Sequence, residues 1–149
     1  MTLTPSDMLC FALYSATQAM QKAYRPLLEP LGLTYPQYLV LCALWRSPAP
    51  PAVSAIGREV GLESSTLTPL LKRLETTGLV ERRRDGRDER QVRIHLTAAG
   101  REMEDRAAAL PGCIAERCGM DLPRLEALRD EVTALAARLR AAPPEENDR

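Results

Sequence analysis

Cys10 stands in the run LCFALYSA, residues 9–16, four residues before Tyr14. A thiolate is the nucleophile that attacks a peroxide oxygen. A phenolic OH can donate a hydrogen bond to sulfur and favour its charged form. Residues four apart share one side of a helix, so a helical run brings these two groups together. Oxidation of such a sulfur gives a sulfenic acid, which condenses with a second thiol to a disulfide. Leu9, Phe11 and Leu13 surround Cys10 and suit an organic peroxide better than a highly polar one. Tyr24 and Tyr35 can join this pair only through tertiary folding.

The other cysteines are Cys42, Cys113 and Cys118. Cys42 sits among Leu39, Leu41 and Leu44 and reads as packing; Tyr38 reads the same way. Cys113 and Cys118 fall near the end of a later helix and, five apart, face different directions. No two cysteines are spaced C-x-x-C and His95 is the single histidine, so no metal is expected. No βαβ unit or glycine-rich phosphate loop is present, and no cofactor is expected. The start MTLTPSDM lacks the basic and apolar parts of a signal peptide, and no apolar run reaches the roughly 18 residues of a membrane span. A cytoplasmic protein with no membrane segment is expected, its thiols reduced at rest.

The elements that must position these groups are mostly helical. TPSD at 4–7 marks a helix start with Thr4 as cap, Pro5 in the first position and Asp7 completing a capping box. Leu9, Leu13, Ala16, Met20, Ala23 and Leu27 then form one apolar face of a first helix ending near Pro30 and Gly32. This start places Cys10 beyond the first turn, where the helix dipole helps it only weakly. A second helix begins near Pro36 and stops at SPAPP, residues 47–51. A short third helix carries Val53, Ile56, Gly57 and Val60. After a turn at Gly61, Ser64 caps a fourth with Leu67, Leu70, Leu71 and Leu74 inward, ended by Gly78. Leu79 to Arg84 and Gln91 to Leu96 alternate around DGRDE, a hairpin signal. Thr97 caps a fifth helix running to near Cys118 or Gly119. From about Leu122, Leu125, Leu128, Val132, Leu135 and Leu139 step at three and four, a coiled-coil-like seam that needs an apolar partner. The tail APPEENDR, 142–149, reads as disordered. The fold class is mainly α with a small β-hairpin wing, in one domain of 149 residues.

The formal net charge is zero, so any nucleic-acid surface must be local. Residues 55–80 supply one: two helices around Gly61 make a helix-turn-helix. With the leucines inward, Ser65, Thr66, Thr68, Pro69, Lys72 and Arg73 remain for outer surfaces. Short hydroxyl side chains there can reach base edges or phosphates, and the cations can neutralise phosphates. Pro69 lies early enough in the helix to be tolerated. The hairpin that follows completes a winged helix and holds Arg84, Arg87 and Arg90. An arginine at its tip can enter a minor groove, where negative potential concentrates.

DERQVRIHLTAAG, residues 88–100, resembles the wing-and-helix signature of the MarR-type winged-helix regulators, with Asp88, Arg90, Ile94, Leu96 and Thr97 on the pattern. The resemblance covers about residues 5–140. It implies a homodimer held by helices within 5–30 and 97–141, with 36–96 as the winged helix-turn-helix. Two copies would read a pseudo-palindromic double-stranded DNA operator. It also implies that Asp88 holds the wing by pairing with an arginine. Arg90 shares that role or contacts DNA, and Arg87 is favoured for the minor groove.

Within that family, LCFALYSA and LTYPQYLV (33–40) resemble the organic hydroperoxide resistance regulators, thiol-based repressors. The resemblance assigns Cys10 as the peroxide-reactive thiol, with Tyr14, Tyr24 and Tyr35 around it. It implies a resolving cysteine across the dimer in the region of Cys113 and Cys118. Cys118, close to a helix end that can fray, is preferred, with Cys113 as the alternative. The expected protein is not an enzyme but a repressor that releases its operator when an organic hydroperoxide oxidises Cys10. Two alternatives stand beside it: a MarR-type regulator answering a small phenolic ligand, and a thiol peroxidase.

Overall fold

The computed structural model describes residues 4–141; the tail 142–149 lies outside them. The order is α1 (Leu9–Leu28), α2 (Tyr35–Arg46), α3 (Val53–Val60), α4 (Ser64–Thr76), β1 (Val80–Arg84), β2 (Val92–Leu96), α5 (Ala98–Ala107), α6 (Leu110–Cys118) and α7 (Leu122–Ala141). Short 3-10 turns cover Pro5–Asp7 and Glu29–Leu31. The chain divides into two compact units between Leu110 and Pro111. No helix of the described residues is long and apolar enough to cross a membrane.

The first unit is built around α2. Thr34 caps it with a reciprocal pair: Thr34 donates its backbone N–H to Gln37 Oε1 at 2.9 Å, and Gln37 N–H donates to Thr34 Oγ1 at 3.4 Å. Val40, Leu41 and Leu44 of α2 join Leu28, Ile56, Leu67, Leu71, Leu74, Val80 and Ile94 in the core. The hairpin is antiparallel, from Val80 opposite Leu96 to Arg84 opposite Val92. It is tied to the end of the proline loop, where Ile94 N–H donates to the Pro51 carbonyl at 3.0 Å.

Two close approaches fix α5 in place. Thr97 caps it by accepting from Gly100 N–H at 3.0 Å, and its own hydroxyl donates to the Gly78 carbonyl at 2.6 Å. At Gly100 the helix lies so near the preceding loop that a Cβ would sit 2.1 Å from the Leu79 carbonyl oxygen. The Gly100 carbonyl in turn accepts from Trp45 Nε1 at 2.9 Å, which pins α5 to the end of α2.

Three local expectations are corrected. The TPSD capping box closes a separate 3-10 turn, because Met8 is extended at φ −99°, ψ 125°. α1 therefore starts afresh at Leu9, and Cys10 lies in its first turn, not beyond it. Ser64 is the first residue of α4 and not its cap: the Glu63 carbonyl accepts from Thr66 and Leu67 N–H at 3.0 and 2.9 Å. The single fifth helix is two, α5 and α6. Pro111 has no N–H to give the carbonyl four residues back, so the hydrogen-bond ladder of α5, which ends at Ala107, cannot run on unbroken.

The apolar faces read from the sequence in α1 and α7 are largely uncovered. α1 buries only Leu28, while Leu9, Phe11, Tyr14 and Met20 are exposed. α7 buries no residue, and Leu122, Leu128, Val132 and Leu139 are exposed.

Candidate functional site

Cys10 is the second residue of α1 and is exposed. The first helical hydrogen bond runs from Ala12 N–H to the Met8 carbonyl at 3.1 Å. The N–H groups of Leu9, Cys10 and Phe11 consequently have no acceptor within the helix. The thiol thus stands in the first turn of the helix, among these unpaired N–H groups. Tyr14 is one turn on and also exposed. Its oxygen accepts from Gln18 Nε2 at 2.7 Å, which leaves the phenolic proton able to donate to another acceptor.

The other tyrosines gather elsewhere. The rings of Tyr24 and Tyr35 lie 4.9 Å apart, and Tyr38 adds a third ring 6.0 Å from Tyr24. Tyr38 in turn meets Trp45 edge-on at 6.2 Å. Burial pushes the Tyr35 and Tyr38 hydroxyls above their ordinary range, the Cys42 thiol adding to it, so they stay protonated and can donate. Tyr24 follows Cys10 by fourteen positions on the same helix. At about 1.5 Å per residue that is roughly 21 Å. One chain thus holds two half-assemblies, Cys10 with Tyr14 and Tyr24 with Tyr35, and does not join them.

Cys42 is half-buried and packed on the core. Burial pushes its thiol up, partly offset by a hydrogen bond with Tyr38. Cys113 lies within α6. Cys118 is the last residue of that helix, followed by Gly119 in the left-handed region at φ +62°.

In the helix-turn-helix, Gly61 takes φ +69° and Leu62 N–H closes α3 on the Gly57 carbonyl at 3.0 Å. α4 buries Leu67, Leu70, Leu71 and Leu74. Ser65, Thr66, Pro69, Lys72 and Arg73 are exposed and Thr68 is half-buried. α4 continues unbroken through Pro69. On the hairpin Arg84, Arg87 and Arg90 are all exposed.

The wing is held differently from expectation. Asp88 accepts from the nearby Arg90 N–H at 3.1 Å and, among the described residues, pairs with no arginine side chain. The arginine partner belongs to Asp85, whose Oδ2 accepts from Arg93 Nε at 2.6 Å. Arg93 also donates to the Pro50 carbonyl at 2.9 Å, so one side chain ties hairpin to proline loop. The register explains the choice: Arg83 and Arg93 are directly opposite, and each relieves the like-charge contact through an acid, Glu81 and Asp85. The sequence points to neither Asp85 nor Arg93, because the D-x-R pattern draws attention to Asp88; strand pairing is the signal that could find them. The Arg87 N–H, then Arg93, hold the Asp85 carboxyl below its ordinary range. Such a depressed carboxylate stabilises the folded wing above the ordinary range, and loses that contribution as pH falls through its lower folded value. The protection of the Arg87 amide, measured against its intrinsic exchange rate at each pH, should therefore fall as pH drops below about 4, the ordinary Asp value; an Asp85→Asn chain should show the lower protection already at neutral pH.

Known proteins resemble this chain in sequence and in fold. The profile of the transcriptional regulator SarA/Rot family matches residues 22–107. The HTH-type transcriptional regulator TtmR of Methylorubrum extorquens is 47% identical over 89% of this chain and 68% of that protein. The organic hydroperoxide resistance transcriptional regulator of Bacillus subtilis is 43% identical over 80% of this chain and 83% of its own length. Among solved structures, that of reduced AbfR bound to DNA, from the Staphylococcus epidermidis regulator, aligns with a TM-score of 0.75 at 34% identity, over 90% of this chain and 93% of that one.

Proposed function

Because this chain belongs to the SarA/Rot family of MarR-type winged-helix transcriptional regulators, we propose that it is a homodimeric DNA-binding repressor whose inducer is an organic hydroperoxide acting on Cys10. The observation that carries this reading is the exposed Cys10 in the first turn of α1 with Tyr14 beside it. Similarity to an organic hydroperoxide regulator over most of both chains supports it.

The sulfur of Cys10 attacks one peroxide oxygen. An S–O bond forms, the O–O bond breaks, and the other oxygen leaves as an alcohol once protonated. The sulfenic acid then condenses with a second thiol, forming a disulfide and releasing water. Cys118 is the preferred partner and Cys113 the alternative. Tyr24 and Tyr35 complete the thiol's surroundings only from a second copy, since their own Cys10 is a helix-length away. The uncovered faces of α1 and α7 are the surfaces a second copy would bury. In the reduced dimer α4 enters a major groove with Ser65, Thr66 and Thr68 towards base edges, Pro69 beside them, and Lys72 and Arg73 at phosphates. Arg87 reaches the minor groove, flanked by Arg84 and Arg90. Oxidation moves the two winged helices out of register, and each base-edge pairing broken by that shift costs about 1–3 kcal/mol. The protein is a sensor in this reading, not an enzyme.

A mobility shift tests it, using DNA upstream of the protein's own gene. The reduced chain should retard the fragment, cumene hydroperoxide should free it, and dithiothreitol should restore the complex. DNA binding indifferent to peroxide would sink the sensing role. One feature favours a second reading, release by a small phenolic ligand: an open groove of about 700 Å³ lined by Gln18, Lys22, Arg25, Leu33 and Tyr35 among others. Release by such a ligand under full reduction would select it.

A further inference from the structure

The base of the wing holds a feature that the helix-turn-helix reading leaves unused. β1 alternates, so Val80, Arg82 and Arg84 share one side while Glu81 and Arg83 share the other and pair with each other. Arg82 thereby turns towards the helices and is only partly exposed. Its backbone N–H donates to Glu75 Oε1 at 3.0 Å, but its Nε is buried with no hydrogen-bond partner. A buried guanidinium donor left unsatisfied costs free energy, and such a group generally marks a missing acceptor.

Arg82 lines a pocket of about 310 Å³ together with Arg90, Ser54, Ser64 and Gln91. None of the described residues lining it is a carboxylate. Ser54 and Ser64 belong to the first turns of α3 and α4, and neither helix has a side-chain cap on its leading N–H groups. Two arginines, two hydroxyls and an amide therefore line one concavity, all of them able to donate, and the two serines belong to helix starts without side-chain caps.

We infer that this pocket binds a tetrahedral phosphate oxyanion, in the working protein a backbone phosphodiester of the bound DNA where the duplex passes between α4 and the wing. The inference rests on the DNA-binding reading. Arg82 supplies a directed fork, Arg90 closes the outer side, and Ser54 and Ser64 complete the oxygen shell. The contact is independent of base sequence and sets the register in which α4 meets the groove.

The test uses the full-length reduced protein with Arg82→Gln and, separately, Ser54→Ala. Operator and unrelated duplex affinities are measured across a salt series. Arg82→Gln should weaken both by a similar factor, roughly tenfold, and lower the slope of log K against log salt by about 1. Thermal unfolding of Arg82→Gln should be unchanged or raised, since the free chain loses an unsatisfied donor. A lowered melting point with an unchanged salt slope would assign Arg82 a packing role and overturn the proposal. A second arm needs no DNA: inorganic phosphate is titrated into the isotope-labelled chain. Saturable shifts at Ser54, Ser64 and Arg82, abolished in Arg82→Gln, support the pocket even if the operator reading fails. Phosphate binding with an unchanged salt slope keeps the oxyanion site but assigns it to a free anion. No phosphate shifts and no change of slope would remove it.

Discussion

A Cys10→Ser chain should hold its operator as tightly as the wild type and stay bound when cumene hydroperoxide is added. The serine keeps the size and place of the thiol at an exposed helix start, so the dimer and its winged helices should be untouched. What disappears is the nucleophile. The affinity of the wild type for its operator should drop by tenfold or more on oxidation, since breaking even one or two base-edge pairings at roughly 1–3 kcal/mol each has that effect. Release of the serine variant by peroxide would place the sensing atom elsewhere.

The same experiment extends to the question of which subunit supplies the tyrosines. A mixed dimer pairs a Cys10→Ser chain with a chain carrying Tyr24→Phe and Tyr35→Phe. If the thiol and the tyrosine pair meet across the interface, one of the two sites is complete and the remaining thiol reacts at the wild-type rate. If they met within one chain, neither site would be complete. The helix-length separation of Cys10 and Tyr24 predicts the first result. Non-reducing gels of Cys113→Ser and Cys118→Ser then identify the resolving thiol, with the crosslink expected to vanish in Cys118→Ser.

Gly100→Ala should be the most damaging of the glycine-to-alanine substitutions. The new Cβ would stand 2.1 Å from the Leu79 carbonyl oxygen, itself the acceptor for Thr97 N–H at 3.1 Å. Backbone lies on both sides, so no side-chain rotation relieves the clash. α5 must move off the loop, straining the Thr97 cap and the Trp45 hydrogen bond together. The cost should reach about 3 kcal/mol, the upper part of the usual range for overpacking, and lower the melting temperature by roughly 10 °C. Gly112→Ala is the control: nothing lies within 4 Å of its added carbon, and its φ is not positive. It should melt within a degree or two of the wild type, or slightly higher through reduced freedom of the unfolded chain.

The order of elements could be read from the sequence because periodicity and punctuation agree. The leucines of α4, the turn at Gly61 and the alternation of the hairpin are local signals, and each marks an element that forms. The errors arise where two local signals compete. TPSD announces a helix start, and it does cap one, but only a single 3-10 turn before Met8 straightens. That one residue moves Cys10 from the body of α1 to its first turn, among the unpaired N–H groups. Asp88 matches a pattern, while the pairing register gives the arginine to Asp85. Register is a non-local property, and no spacing along the chain reveals it. The tyrosines divide along the same line: one helix read from Leu9 to Leu27 already implies that Cys10 and Tyr24 stand roughly 21 Å apart in one chain, whereas the meeting of the Tyr24 and Tyr35 rings is non-local and no spacing reveals it.

The indole of Trp45 sits at a joint. One of its edges meets Tyr38, which touches the Tyr24 ring that pairs with Tyr35, and its nitrogen grips the first turn of α5 directly behind the wing. It is also the single tryptophan of the chain. Ultraviolet emission therefore comes with its address already known. Trp45 links the tyrosine cluster to α5, so a rearrangement of that cluster should change the colour and brightness of its emission, an unlabelled optical gauge readable in real time as oxidant is added.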